Sequence, residues 1–199
     1  MIDAPVPTPT GSPAVAAADP AGAASRPSLG ALWRVLDAVP DPEIPVVSVV
    51  ELGILRGVEW DATDPATLVA TVTPTYSGCP ATELIMTSIR DAVAAAGVAH
   101  VRIETRLSPA WTTDWMTPEA RRKLRDFGIA PPDGVRALSA PIAIDVAGIS
   151  PLRRAGVAVV CPRCDSPQTQ LLSQFGSTAC KAHYRCLACL EPFDYFKPH

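Results

Sequence analysis

The chain has 199 residues, 48% of them hydrophobic, enough for one ordinary domain with a real core plus an appendage. A net charge of −3 provides no global basic field for nucleic acid, and no apolar stretch approaches the ~18 residues that a membrane helix needs. Six cysteines with no apparent secretory leader fit a reducing, cytoplasmic setting, in which thiols ligate metals or react rather than pair as disulfides.

Residues 1–28 are rich in Ala, Pro, Ser, Thr and Gly without apolar periodicity, and read as a disordered leader. Order is expected from Ser28, an N-cap, with Leu29, Leu32, Trp33, Leu36 and Val39 following at helical spacing. The prolines of Asp41-Pro42-Glu43-Ile44-Pro45 end that helix. Ile54–Trp60 and Thr67–Thr73 are β-branched runs around the turn-like segment Asp61–Pro65. An amphipathic helix follows the tight loop Pro74–Pro80, with Ile85, Ile89, Ala92, Val93 and Ala96 on one face and Gly97 at its C-terminal end. Val101–Leu107 reads as a third strand. Ser108–Trp115 is an aromatic loop, and Thr117 caps a short charged helix through Asp126. Residues 131–156 read as a linker, with Pro141–Val146 as its one candidate strand. The expected fold class is α+β: a small α/β domain over 29–130, then a C-terminal module over 157–199.

That module carries Cys161-Pro-Arg-Cys164 and Cys186-Leu-Ala-Cys189. Two such pairs can supply four thiolates at ~2.3 Å and close a tetrahedral shell, the pattern of a structural zinc ribbon. Iron suits the same all-sulfur shell. The residue after each second cysteine often needs positive φ, which Asp165 tolerates and Leu190 fits poorly, so one knuckle is expected to be less regular. Phe175, Tyr184, Phe193, Tyr195 and Phe196 are expected to shield the metal as a mini-core. Four basic and three acidic side chains from 157 onward make no basic stripe for nucleic acid. Cys180 is one thiol more than the shell needs, either a small buried hydrophobe of the ribbon or a reactive thiol beside Lys181. His183 reads as a strand side chain, and His199 as a frayed terminus.

Cys79 stands alone in the first domain. Pro80 suits a first helical turn, which would set Cys79 at or just before an N-cap, where helix dipole and free N–H groups favour a thiolate. The plain alternative is a structural thiol packed beneath the helix. None of His100, His183 and His199 has an evident partner role, and a thiolate without a base suits holding better than cleaving. Asp41, Glu43 and Asp114 lie in loops that can converge near it, and Trp111 and Trp115 form either a docking lip or the floor of the core.

Four segments, Asp41-Pro-Glu-Ile-Pro45, Glu51-Leu-Gly-Ile54, Thr73-Pro-Thr-Tyr-Ser-Gly-Cys-Pro-Ala-Thr82 and Ser108-Pro-Ala-Trp-Thr-Thr-Asp-Trp115, resemble the MIP18-type domain of iron–sulfur assembly factors. The tail, with Phe175-Gly-Ser-Thr-Ala-Cys-Lys181 and Glu191-Pro-Phe-Asp-Tyr-Phe-Lys197, resembles one branch, the PaaD family of phenylacetyl-CoA epoxidase components. The likeness covers about 29–130 and 157–199. It implies a bacterial cytosolic accessory protein of aerobic phenylacetate breakdown, without independent catalytic activity. Its partners would be the oxygenase and reductase subunits of the epoxidase. It also implies Cys79 as the domain's reactive cysteine and Cys161, Cys164, Cys186 and Cys189 as metal ligands. Family members often end Phe-Lys-Cys, whereas Pro198 follows Lys197 here, which removes one further thiol. His183 stands where an apolar residue is usual.

The leading expectation is a maturation factor in which Cys79, with a second thiol such as Cys180, transiently holds iron or an iron–sulfur cluster while a zinc- or iron-loaded ribbon docks the client. The alternatives are a non-catalytic zinc adaptor that assembles the complex and a thiol-dependent enzyme.

Overall fold

The computed structural model describes residues 26–132 and 159–198. The candidate strand Pro141–Val146, most of the linker, most of the leader and His199 lie outside the described residues. Arg26, assigned to the leader, is described: its guanidinium lies 4.4 Å over the Trp60 ring and donates to the Pro65 carbonyl.

Helix α1 (Leu29–Asp37) opens on Ser28, whose hydroxyl accepts from the Ala31 N–H and supplies one of the partners a first turn lacks. It buries Leu32 and Leu36. Strands β1 (Leu55–Trp60) and β2 (Thr67–Val72) form an antiparallel hairpin, and β3 (His100–Thr105) joins β2 in parallel. A parallel neighbour demands a crossover, supplied by α2 (Thr82–Ala95), which buries Ile85, Ile89 and Val93 on one face. Gly97, at φ +91°, follows its C-cap. As the middle strand β2 is buried at five of its six positions. Helix α3 (Pro118–Phe127) is capped by the Thr117 hydroxyl, which accepts from the Ala120 N–H.

The second sheet has the order β4–β7–β6–β5, with β4 (Ile129–Ala130), β5 (Thr169–Ser173), β6 (Lys181–Cys186) and β7 (Pro192–Phe196). The expected division at residue 130 differs from the structure in one respect. Ile129 and Ala130 pair in parallel with Asp194 and Tyr195, so the end of the first domain is an edge strand of the ribbon's sheet. The cores interlock in the same way. Cys180 and Phe196 belong to the first domain's apolar cluster with Leu36, Leu52 and Ile85, and the Phe196 ring lies 6.0 Å from that of Trp111. Ala182, Phe193 and Tyr195 instead form a separate cluster around Cys161 and Cys186.

Alternation along β6 and β7 produces this division. Ala182, Cys186, Phe193 and Tyr195 face the ribbon's own cluster. Lys181, His183 and Asp194 share the opposite face: Asp194 approaches Lys181 Nζ at 3.7 Å and His183 Nδ1 at 3.2 Å. The expected five-aromatic mini-core is thereby corrected. Tyr184, Phe193 and Tyr195 form it, Phe196 leaves for the first domain, and Phe175 is 68% exposed beside Lys197.

The Glu51–Ile54 and Ser108–Trp115 segments are packed together. Gly53 holds φ +69°, and a Cβ there would come within 2.6 Å of the Trp115 carbonyl oxygen, so only glycine lets the two loops meet. Trp111, 3% exposed, donates its Nε1–H to the Leu52 carbonyl at 3.0 Å. It is part of the core floor rather than a docking lip.

Candidate metal centre and thiol pocket

The first knuckle turns back through hydrogen bonds from Asp165 N–H to the Cys161 carbonyl (3.1 Å) and from Cys161 N–H to the Ser166 carbonyl (3.0 Å). The second does so from Cys186 N–H to the Glu191 carbonyl (2.9 Å). Asp165 (φ 61°) and Leu190 (φ 66°) both take the left-handed conformation. The second knuckle thus takes the same left-handed turn as the first with one fewer closing hydrogen bond, and Leu190 carries the left-handed cost of ~1–2 kcal/mol.

The sulfurs of Cys161, Cys164, Cys186 and Cys189 all lie within 4.8 Å of one another. Cys161 and Cys189 are 3.8 Å apart, Cys164 and Cys186 3.5 Å. Ligands at ~2.3 Å from one tetrahedral ion stand about 3.8 Å apart, so the four thiols fit a divalent metal. The Cys189 backbone N–H holds the Cys186 thiol down to about 6. The Glu191 backbone favours a Cys189 thiolate, yet burial and the neighbouring sulfurs push that thiol up to about 12. His183 is bonded to Asp194 and takes no part in the shell.

The second site lies where loops and helix α2 of the first domain meet the ribbon. A cavity of ≈ 20 Å³ is lined by Asp41, Glu43, Cys79, Ile85, Cys180 and Phe196, among others. Four of the chain segments that line it bear on its chemistry. In the first, Asp41 Oδ1 accepts from the N–H groups of Glu43 (2.9 Å) and Ile44 (2.8 Å), fixing an Asx turn that presents Glu43. In the second, Cys79 N–H bonds to the Tyr76 carbonyl and the Cys79 carbonyl accepts from Thr82 N–H, a turn ahead of α2. Here the expectation from sequence is corrected. The N-cap is Ala81, so Cys79 precedes it by two residues and Pro80 is not in the helix. Gly176 N–H to the Lys181 carbonyl (2.8 Å) folds the third, leaving Cys180 6% exposed. Phe196 of β7 contributes the fourth.

Cys180 Sγ lies 3.0 Å from the Thr178 hydroxyl and 3.9 Å from Glu43 Oε2. Burial pushes its thiol up, against the Thr178 hydrogen bond and the nearby Lys181. Burial also raises Asp41, against its two backbone hydrogen bonds and Lys181. The Tyr76 phenol is raised by burial, with Cys79, Cys180 and Glu43 adding to it, so it remains a neutral donor beside all three.

Of the residues expected to converge, Asp41, Glu43, Cys79 and Cys180 therefore share one pocket, while Asp114 is exposed and outside it. Cys180 is buried as expected of a small apolar residue, but against the first domain rather than within the ribbon. Sequence reasoning missed Tyr76, Phe196 as a wall of this pocket, and the burial of Lys181, which is 4% exposed. Alternation in Phe193-Asp-Tyr-Phe196 was the available signal for Phe196.

Comparison with known proteins follows the same two parts. The family described as iron-sulfur cluster assembly protein matches residues 29–104, and the PaaD zinc beta ribbon domain matches 149–197. A protein of Escherichia coli (strain K12), named as one of the subunits of 1,2-phenylacetyl-CoA epoxidase, is 47% identical over 176 residues, covering 86% of this chain and 93% of that protein. Two solved structures are similar over about half of the chain. A domain of unknown function from Bacillus anthracis is 28% identical, covering 48% of this chain and 89% of its own, with a TM-score of 0.43. A Mycobacterium tuberculosis protein associated with Fe-S complex assembly and repair is 30% identical, covering 53% and 92%, with a TM-score of 0.32. Among the described residues no helix is long and apolar enough to cross a membrane. With both halves matched in order and 47% identity to a protein covered almost end to end, this chain belongs to the PaaD family.

Proposed function

We propose that this protein is a cytoplasmic maturation factor for a phenylacetyl-CoA epoxidase, in which Cys79 and Cys180 transiently hold iron or an iron–sulfur cluster and the ribbon, built around zinc, docks the client. The observation that carries this reading is the shared pocket. A thiol from the segment matching the iron–sulfur assembly family and a thiol from the ribbon line one cavity, with carboxylates beside them. Among the described residues that line it there is no histidine to act as a base, which favours holding over catalysis. The partners are the oxygenase and reductase subunits of the enzyme for which the Escherichia coli relative is named.

The experiment is complementation with Cys79→Ser. The variant is expected to keep its fold and ribbon metal while epoxidase activity in cells falls at least about tenfold, the scale of losing one thiol ligand. Undiminished activation would sink the reading. A second reading, an adaptor that only assembles the subunits, is favoured by exposed Leu171, Leu172, Phe175 and Leu187 on the ribbon. It requires that capture of the epoxidase subunits and their activity both survive Cys79→Ser and both fail in Leu172→Asp.

A further inference from the structure

We propose that the pocket between the first domain and the ribbon takes a single divalent cation of the iron(II) class, with Glu43 as a ligand beside Cys79 and Cys180, and not a preassembled cluster. The proposal rests on the maturation reading and names the cargo of that site.

Size is the first ground. A cavity of ≈ 20 Å³ has room for one water-sized occupant. A two-iron cluster brings two sulfides, each alone as large as a water, and would have to push Phe196 and Ile85 out of the core cluster they share.

The donor set is the second ground. Clusters are held by sets of cysteine thiolates. Here two thiols meet a carboxylate, a mixed set of soft and hard donors that suits a borderline divalent ion. The 3.9 Å between Cys180 Sγ and Glu43 Oε2 is long for a hydrogen bond. It is close to the about 3.6 Å separating a sulfur and an oxygen on one tetrahedral ion.

Charge is the third. Asp41, Glu43 and Asp194 bring carboxylates to this region. Lys181 is the ammonium among them, and it lies 3.7 Å from Asp194 and acts on Asp41. Its charge is thus shared among carboxylates, and a bound cation supplies positive charge that this donor set lacks.

Among the described residues, the ribbon cysteines are the group whose ligand atoms converge within 4.8 Å. Glu43 and Cys180 are in contact, so two of the ligands are preset, and half-buried Cys79 lines the same cavity.

The test uses the full chain with its ribbon loaded with zinc, titrated anaerobically with cobalt(II) as the spectroscopic probe and with iron(II). The expected result is one further equivalent bound, zinc unchanged, with thiolate-to-cobalt charge-transfer absorption. Affinity should fall at least about tenfold in Cys79→Ser, Cys180→Ser and Glu43→Gln, because losing a ligand costs no less than losing its supporting partner. Asp114→Asn, exposed and off the pocket, should bind as wild type. Zinc content and circular dichroism verify the fold of each variant, and Glu43→Gln keeps the test decisive if Cys180→Ser misfolds. No binding beyond the zinc, or equal affinity in Glu43→Gln, overturns the proposal. So does reconstitution that leaves acid-labile sulfide with the iron on Cys79. That last outcome leaves the maturation reading standing, whereas undiminished client activation by Cys79→Ser removes the reading itself.

Discussion

Asp41 shows how a single side chain supports the pocket at a cost. Its carboxylate orders the turn that presents Glu43, yet it is 7% exposed and burial raises its proton affinity above that of an unfolded aspartate. The folded state therefore binds the proton more tightly. Below the ordinary aspartate range the group is protonated in both states and contributes nothing. As pH rises through that range and past the raised folded value, folding comes to bear the cost of a buried charge, and stability falls. Asp41→Asn keeps an oxygen for both backbone donors. It should unfold at higher denaturant than wild type at pH 7, with the difference vanishing below about pH 3.5, near the unfolded aspartate value. A difference that persisted in acid would assign the effect to packing instead.

The elements that matter most are β6 and β7, since each ends at both sites. Cys186 closes one end of β6 and Cys180 adjoins the other. Cys189 lies shortly before β7, and Phe196 ends it. Losing the ribbon metal should therefore be felt at the pocket. In the metal-loaded protein Cys180 is expected to resist iodoacetamide, and chelation should speed its labelling at least tenfold by site-resolved mass spectrometry, the ratio expected if only ~1.4 kcal/mol of local order is lost. Equally slow labelling after chelation would disconnect the two sites.

At this scale the sequence was most readable. Ser28, Thr117 and Gly97 bounded helices by capping chemistry, β-branched runs placed the three strands of the first sheet, and paired cysteines announced the shell. What it could not convey was non-local: the pairing of Ile129 and Ala130 with β7, and Cys180 crossing into the other core. No local period encodes which neighbour a strand end will meet. Leu190 marks a different limit, because tertiary closure of the knuckle overrode its conformational preference.

Over the whole molecule, the two family-matched regions share one apolar cluster, and Ile129–Ala130 between them joins the ribbon's sheet, which argues for one cooperative unit. Phe196→Ala tests this from the ribbon's side. Its ring is 1% exposed, and truncation should cost ~3–5 kcal/mol. Calorimetry of the metal-loaded protein should show a single transition, shifted downward in the variant. Two resolved transitions, with only one of them moved, would separate the halves.

Glu43 and Cys180 lie 137 positions apart in the chain. At a synthesis rate of about 5–20 residues per second, the ribosome takes roughly 7–27 s to make the second after the first. For the part of that interval that follows its own synthesis, Cys79 has no opposing thiol. The pocket is thus among the last features to be completed, and under the proposed role it could hold no metal between both thiols until the ribbon had emerged and folded.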